Sequence, residues 1–169
     1  MNILRIIPSE KMYNIKLGKN GPIVDKSTID IIRKNRFIVE KILKTIIENS
    51  NRINKKEDIE NIIKSIIFRD RYVDLINNKK FIEEFSMLIY FSLEIIKKYL
   101  KDIRLLNVLV ERMIDIAEGT PPREKIGNIF TIEIIEDPRL IYYINNRTAV
   151  IFAIGKHNRN GKVEIIRQL

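Results

Sequence analysis

Two runs of strand-favouring residues near the C-terminal end of the chain are separated by only four polar positions. Arg139-Leu140-Ile141-Tyr142-Tyr143-Ile144 and Ala149-Val150-Ile151-Phe152-Ala153-Ile154 flank Asn145-Asn146-Arg147-Thr148. β-rich segments joined by so short a turn pair most directly with each other, as an antiparallel hairpin. This places Arg139 at one end of the hairpin and Gly155-Lys156-His157-Asn158-Arg159 where it leaves. His157 is the only histidine of the chain. A small sheet can present such a group to a polyanion.

The segments upstream read in order. Ile129 to Ile135 is a further strand, and Lys162 to Ile166 can add a last one. Phe81 to about Leu100 and Ile103 to about Glu118 have helical periodicity. Gly119 ends the second of these, and Thr120-Pro121-Pro122 prevents its continuation. Arg71 to Ile76 alternates polar and apolar residues as a half-buried strand would, and Asn77-Asn78 offers a stop and a helix cap. Strand, two helices and three or four antiparallel strands make a small α+β domain over residues 69–169, with both helices on one sheet face.

Residues 1–68 read as a mostly helical extension. Ile3 to Ile7 and Met12 to Leu17 can form short strands, with turns at Pro8-Ser9 and Gly18 to Pro22. A helix capped by Ser27 or Thr28 runs to about Asn49, on Ile29, Ile32, Phe37, Val39, Ile42, Leu43, Ile46 and Ile47. A second opens at Asn54-Lys55-Lys56-Glu57 and carries the stripe Ile59, Ile62, Ile63, Ile66 and Ile67 to Phe68.

With 169 residues, 45% of them hydrophobic, the chain can bury one good core or a smaller domain with an added segment. Lysine and arginine outnumber acids 31 to 22, a net charge of +9. Such a balance favours nucleic acid, a ribosome or another acidic surface, although a proteome rich in Ile, Lys and Asn produces the same excess. From Arg139 onward six basic residues face Glu164 alone, so positive charge gathers on the hairpin and tail. The absence of cysteine excludes disulfides, thiolate metal sites and thiol nucleophiles, and one histidine excludes a multi-histidine metal centre within one chain. Gly18, Gly21 and Gly127 form no phosphate-loop motif, and nothing suggests a cofactor. Every apolar run is interrupted by Lys or Arg before membrane-spanning length, and the first residues lack a signal peptide's apolar region. A cytoplasmic protein with no membrane partner is expected.

Tyr72-Val73-Asp74-Leu75, Phe81-Ile82-Glu83-Glu84-Phe85, the loop Pro121-Pro122-Arg123-Glu124-Lys125-Ile126 and the hairpin with Gly155-Lys156 and Arg159 after it together resemble the RelE/ParE toxin superfamily. The likeness covers about residues 70–169. In ribosome-associated members, messenger RNA lies across the sheet and a ribose 2′-hydroxyl attacks the adjoining phosphate. The resemblance therefore implies a toxin-like protein acting on nucleic acid, a metal-independent endoribonuclease without cofactor. RNA or the ribosome would be its target and an antitoxin its partner, with a homodimer as a further arrangement. Residues 1–68 then read as a built-in cover, a dimerisation arm or plain elaboration.

Carried over by residue, Arg139 matches an arginine that contacts the reacting phosphate, and His157 falls where another functional arginine lies. Lys156 and Arg159 match basic neighbours, and with Lys162 and Arg147 they are candidates for nucleic-acid contacts. Where family members carry two lysines, the chain has Thr131 and Glu133; Glu133 is a candidate general base. No tyrosine stands in Asn160 to Glu164, where the family has a late one. The bland alternatives are a solvated His157, an Arg139 paired with Asp137 or Glu136, a Glu133 on the solvent face, and Tyr142 and Tyr143 packed on opposite faces. Thr131, Glu133 and the missing tyrosine support another class of function, a non-catalytic basic binding or assembly subunit that keeps the fold. Arg112 to Pro121 with Gly161-Lys162-Val163-Glu164 also resembles the omega-like small subunit of RNA polymerases. That family has a helix after Asp137-Pro138, so the backbone at 139–145 separates the two.

Overall fold

A computed structural model describes residues 14–17, 22–136, 138–157 and 163–168. The protein is α+β, and its contacts divide it into two compact units, residues 27–110 and residues 1–26 with 111–169. This grouping differs from a division at residue 68: residues 69–110 belong with the preceding helices, and the strand β1 (Asn14–Leu17) belongs with the C-terminal strands.

Unit 27–110 is helical. It contains α1 (Lys26–Lys34, from its second residue), α2 (Arg36–Glu48), α3 (Lys56–Arg69), α4 (Val73–Ile76) and α5 (Lys79–Ile95), which continues as a π-type turn over Ile96–Leu100. The single helix expected from 28 to 49 is divided at Asn35, whose side chain donates to the Ile31 carbonyl at 2.8 Å. Asparagine competes with the helical ladder in this way. The apolar stripes close on one another, and Ile29, Ile42, Ile46, Ile59, Ile63, Phe81 and Phe85 are buried.

The strand expected at Arg71 to Ile76 is instead a helical turn, α4. Arg71 takes a left-handed φ of 63°, and the Tyr72 N–H returns to the Ile67 carbonyl at 2.9 Å, which ends α3 in a Schellman-type cap. Tyr72, Leu75 and Ile76 then point inward at helical spacing, with Leu75 buried and Val73 exposed. Asn78 caps α5 as expected, its side-chain oxygen accepting from the Phe81 N–H at 3.0 Å.

Helix α6 (Leu106–Ala117) follows a 3-10 turn at Ile103–Leu105, and the division between the units falls inside it. Gly119 ends it at φ 83°, with Thr120 N–H to the Asp115 carbonyl at 3.0 Å. One sheet then contains β2 (Ile23–Val24), β1, β6 (Thr148–His157), β5 (Arg139–Asn145), β4 (Ile129–Glu133) and β3 (Glu124–Ile126) in that order, and β7 (Val163–Gln168) also pairs with β6. From β3 to β7 all pairings are antiparallel, while β1 runs parallel to β6. Residues 139–145 are extended, so the helix that the omega-like resemblance requires is absent there. The strand expected at Ile3 to Ile7 lies outside the described residues.

The hairpin turns at Asn146 and Arg147, both at positive φ (47° and 68°), the pattern of a type I′ turn. Phe130, Leu140, Tyr142, Ile151 and Ile154 are buried, and the Phe130 and Tyr142 rings lie 5.5 Å apart. Burial pushes the Tyr142 hydroxyl up to about 12. Tyr143 instead meets Phe152 at 5.6 Å. Among the described residues no helix is long and apolar enough to cross a membrane.

Candidate active site

Strand register decides which side chains meet. Glu133 lies directly opposite Arg139, and Arg139 lies opposite Gly155, so the three share one sheet face. Gly155 brings no side chain against the guanidinium. Two residues further along β6, His157 returns to the same face. On the other flank Glu124 of β3 is opposite Thr131, again on that face.

Arg139 is the centre of the cluster. Its side chain is only 6% exposed, and three charged or titratable neighbours converge on it. Glu133 Oε1 lies 3.2 Å from Nη1 and Glu124 Oε1 3.1 Å from Nε. Nε points away from that oxygen, so the Glu124 contact is coulombic rather than a hydrogen bond. Nη1 also donates to the Glu136 carbonyl at 3.4 Å. Glu136 sits at φ 56° in the turn that Ile134 N–H closes onto the Pro138 carbonyl. Of the two acidic residues expected to pair with Arg139, Glu136 thus contributes its backbone, and Asp137 lies outside the described residues.

His157 Nδ1 lies 3.0 Å from Arg139 Nη2, and Nε2 lies 2.9 Å from Glu124 Oε1. A guanidinium can only donate. Nδ1 therefore accepts, and the neutral ring donates its Nε2 hydrogen to Glu124. The histidine is oriented from both sides of its ring. Around this centre, Arg123 Nε reaches Glu133 Oε1 at 3.2 Å, and Arg112 Nε of α6 donates to the Glu133 carbonyl at 2.8 Å, tying the helix to the end of β4. Arg139 and Arg123 balance Glu124 and Glu133 in charge.

The structure thus brings together Arg139, His157 and Glu133. It leaves Thr131 fully buried beside the site, where it cannot reach a ligand in solvent. Lys156 is exposed but alternates to the other face from His157. Arg147 stands in the hairpin turn, about 20 Å along β5 from Arg139 at strand rise. Arg159 and Lys162 lie outside the described residues. Glu124 and Arg123 were missed as site residues because β3 is only 3 residues long and follows two prolines, too short for a periodic signal. Among the described residues no group of acidic or histidine side chains is placed to hold a metal ion.

Comparison with family models, with curated proteins and with solved structures finds no match to this chain.

Proposed function

We propose that this protein is a toxin-like endoribonuclease with a RelE/ParE-like sheet, acting on messenger RNA through Glu133, Arg139 and His157. The observation that carries the reading is the convergence of Glu133, Glu124 and His157 on the guanidinium of Arg139. RNA cleavage by its own 2′-hydroxyl needs a base, a cation and an acid on either side of one phosphate. Nη1 of Arg139 faces the carboxylate of Glu133 and Nη2 faces the imidazole, so base and acid flank the cation.

In this reaction Glu133 takes the proton of the 2′-hydroxyl as the 2′-oxygen bonds to phosphorus. Arg139 stabilises the charge on the pentacoordinate phosphorane. The bond from phosphorus to the 5′-oxygen breaks, and that oxygen takes a proton from His157. The products are a 2′,3′-cyclic phosphate and a 5′-hydroxyl. In the resting arrangement Nδ1 is occupied by Arg139. A phosphate that draws Nη2 toward itself opens Nδ1 to a proton from water, and the imidazolium so formed delivers that proton to the 5′-oxygen.

The RelE/ParE reading draws support from the antiparallel β4, β5 and β6 where the resemblance wants them. Residues 71–76, expected as its leading strand, instead form a helical turn, and it is β1 that pairs with β6. The ribosome as the site of action and an antitoxin as partner come with that reading. The test is expression in growing cells with and without Arg139→Ala combined with His157→Ala. Growth arrest and cleavage of translated messages by the native chain alone are expected; equal behaviour of the double variant contradicts the reading.

A second reading, a basic binding subunit without catalysis, is favoured by one observation. Arg139 is almost wholly buried, and each of its guanidinium nitrogens already has a neighbour. It predicts salt-dependent RNA binding with no cleavage.

A further inference from the structure

One oxygen of Glu133 is shared equally by two arginines from different strands or loops: Oε1 is 3.2 Å from Arg139 Nη1 and 3.2 Å from Arg123 Nε. We infer that Arg123 and Arg139 form a two-armed phosphate fork whose resting occupant is the carboxylate of Glu133. A phosphate oxygen is the same kind of acceptor as this carboxylate oxygen, and paired guanidinium donors suit both.

The two arms differ in a way that suits exchange. Arg139 keeps its place without Glu133, because Glu124 and the Glu136 carbonyl hold the guanidinium from other sides. Arg123 is free to follow a ligand, with its side chain 67% exposed. Glu133 is itself 38% exposed, so its carboxylate can swing into water with little loss of hydration. While it stays, the two arginines and two glutamates cancel, and the fork has little net attraction for an anion.

Entry of phosphate then has a second consequence. It displaces Glu133 from the fork yet leaves it beside the phosphate, with its lone pairs released from two cations. The carboxylate becomes an effective base only when a phosphate is present. That phosphate is the RNA backbone on the reading proposed above, and this part of the inference rests on that reading. The fork itself does not, because it can be tested with inorganic phosphate.

The test is a titration with inorganic phosphate at constant ionic strength, followed on the imidazole resonances of His157, the chain's only histidine. Glu133→Gln removes the competing charge and is expected to bind phosphate about tenfold more tightly than the native protein, the loss of one charge-assisted contact to be displaced. Adding Arg123→Ala to that variant should cancel the gain. Glu133→Ala serves as a second variant of the same prediction. Unchanged or weaker binding in the Glu133 variants, or a gain that survives loss of Arg123, overturns the fork. RNA cleavage should fall in Glu133→Gln even as phosphate affinity rises. Tighter phosphate binding without cleavage by the native chain would leave the fork standing and sink the nuclease reading.

Discussion

Glu124 holds the site together from a position that takes no part in the proposed proton transfers. Its one oxygen meets both Arg139 Nε and His157 Nε2, at 3.1 and 2.9 Å. Glu124→Gln leaves a nearly buried guanidinium with Glu133 as its remaining carboxylate. Loss of a partner from a buried pair costs ~3–5 kcal/mol, and the second carboxylate reduces this here to about 2 kcal/mol. Denaturant unfolding of the variant measures it. Tyr142 supplies a pH-dependent effect. Its folded-state value near 12 lies above the value near 10 of an unfolded tyrosine. Between those limits the unfolded chain loses a proton that the folded chain keeps, so the Tyr142 contribution is intact below pH ~10 and declines as pH rises toward ~12, by roughly 2–3 kcal/mol in all. Tyr142→Phe should remove this component, making stability less steep in that range when the two proteins are compared. Arg139 and His157 stand out in the sequence at the ends of the hairpin, and Glu133 is singled out by the family resemblance alone. Glu124 could not be singled out, because its role depends on a register across four strands, β3 to β6.

At the level of elements, the hairpin was the most legible part of the chain, since alternating runs and a four-residue polar interval leave few other pairings. The turn is nonetheless imperfect. Arg147 holds φ 68°, a conformation in which a side chain is strained and glycine is not. Arg147→Gly is therefore expected to raise stability by about 1 kcal/mol, read from the denaturant midpoint at unchanged slope. It should leave the cleavage rate at saturating RNA unchanged, because the turn is at the far end of β5 from the site. Residues 71–76 were illegible for a different reason. Tyr72, Leu75 and Ile76 satisfy a helical spacing as well as Val73 and Leu75 satisfy one face of a strand, and six residues do not separate the two periods. The cap at Arg71 decided between them. The break between α1 and α2 rests on a single asparagine side chain, which no apolar periodicity reports. Strand β1 shows the limit for long-range pairing: its formation was readable, but its place beside β6 was not.

At the scale of the whole molecule, the positive charge is spread rather than concentrated. Unit 27–110 carries 17 basic and 12 acidic side chains, and the remainder of the chain 14 and 10. The Arg139 cluster is balanced internally, so on the proposed function attraction to RNA must come from the wider surface and chemistry from the site. Binding of a short single-stranded RNA should accordingly weaken with salt, with a log–log slope of about −2 to −3 for three to four phosphate contacts. Glu133→Gln should change that slope little. The proposed function stands or falls on the site itself. The most direct measurement is the chemistry of the RNA ends after incubation of end-labelled RNA with purified protein in the presence of a metal chelator. The account predicts fragments with 2′,3′-cyclic phosphate and 5′-hydroxyl ends, formed by the native chain and at least a hundredfold more slowly by Glu133→Gln and by His157→Gln, within the usual range for loss of a general base or acid, ~10²–10⁴-fold. Intact RNA with the native protein, or equal cleavage by both variants, would contradict it.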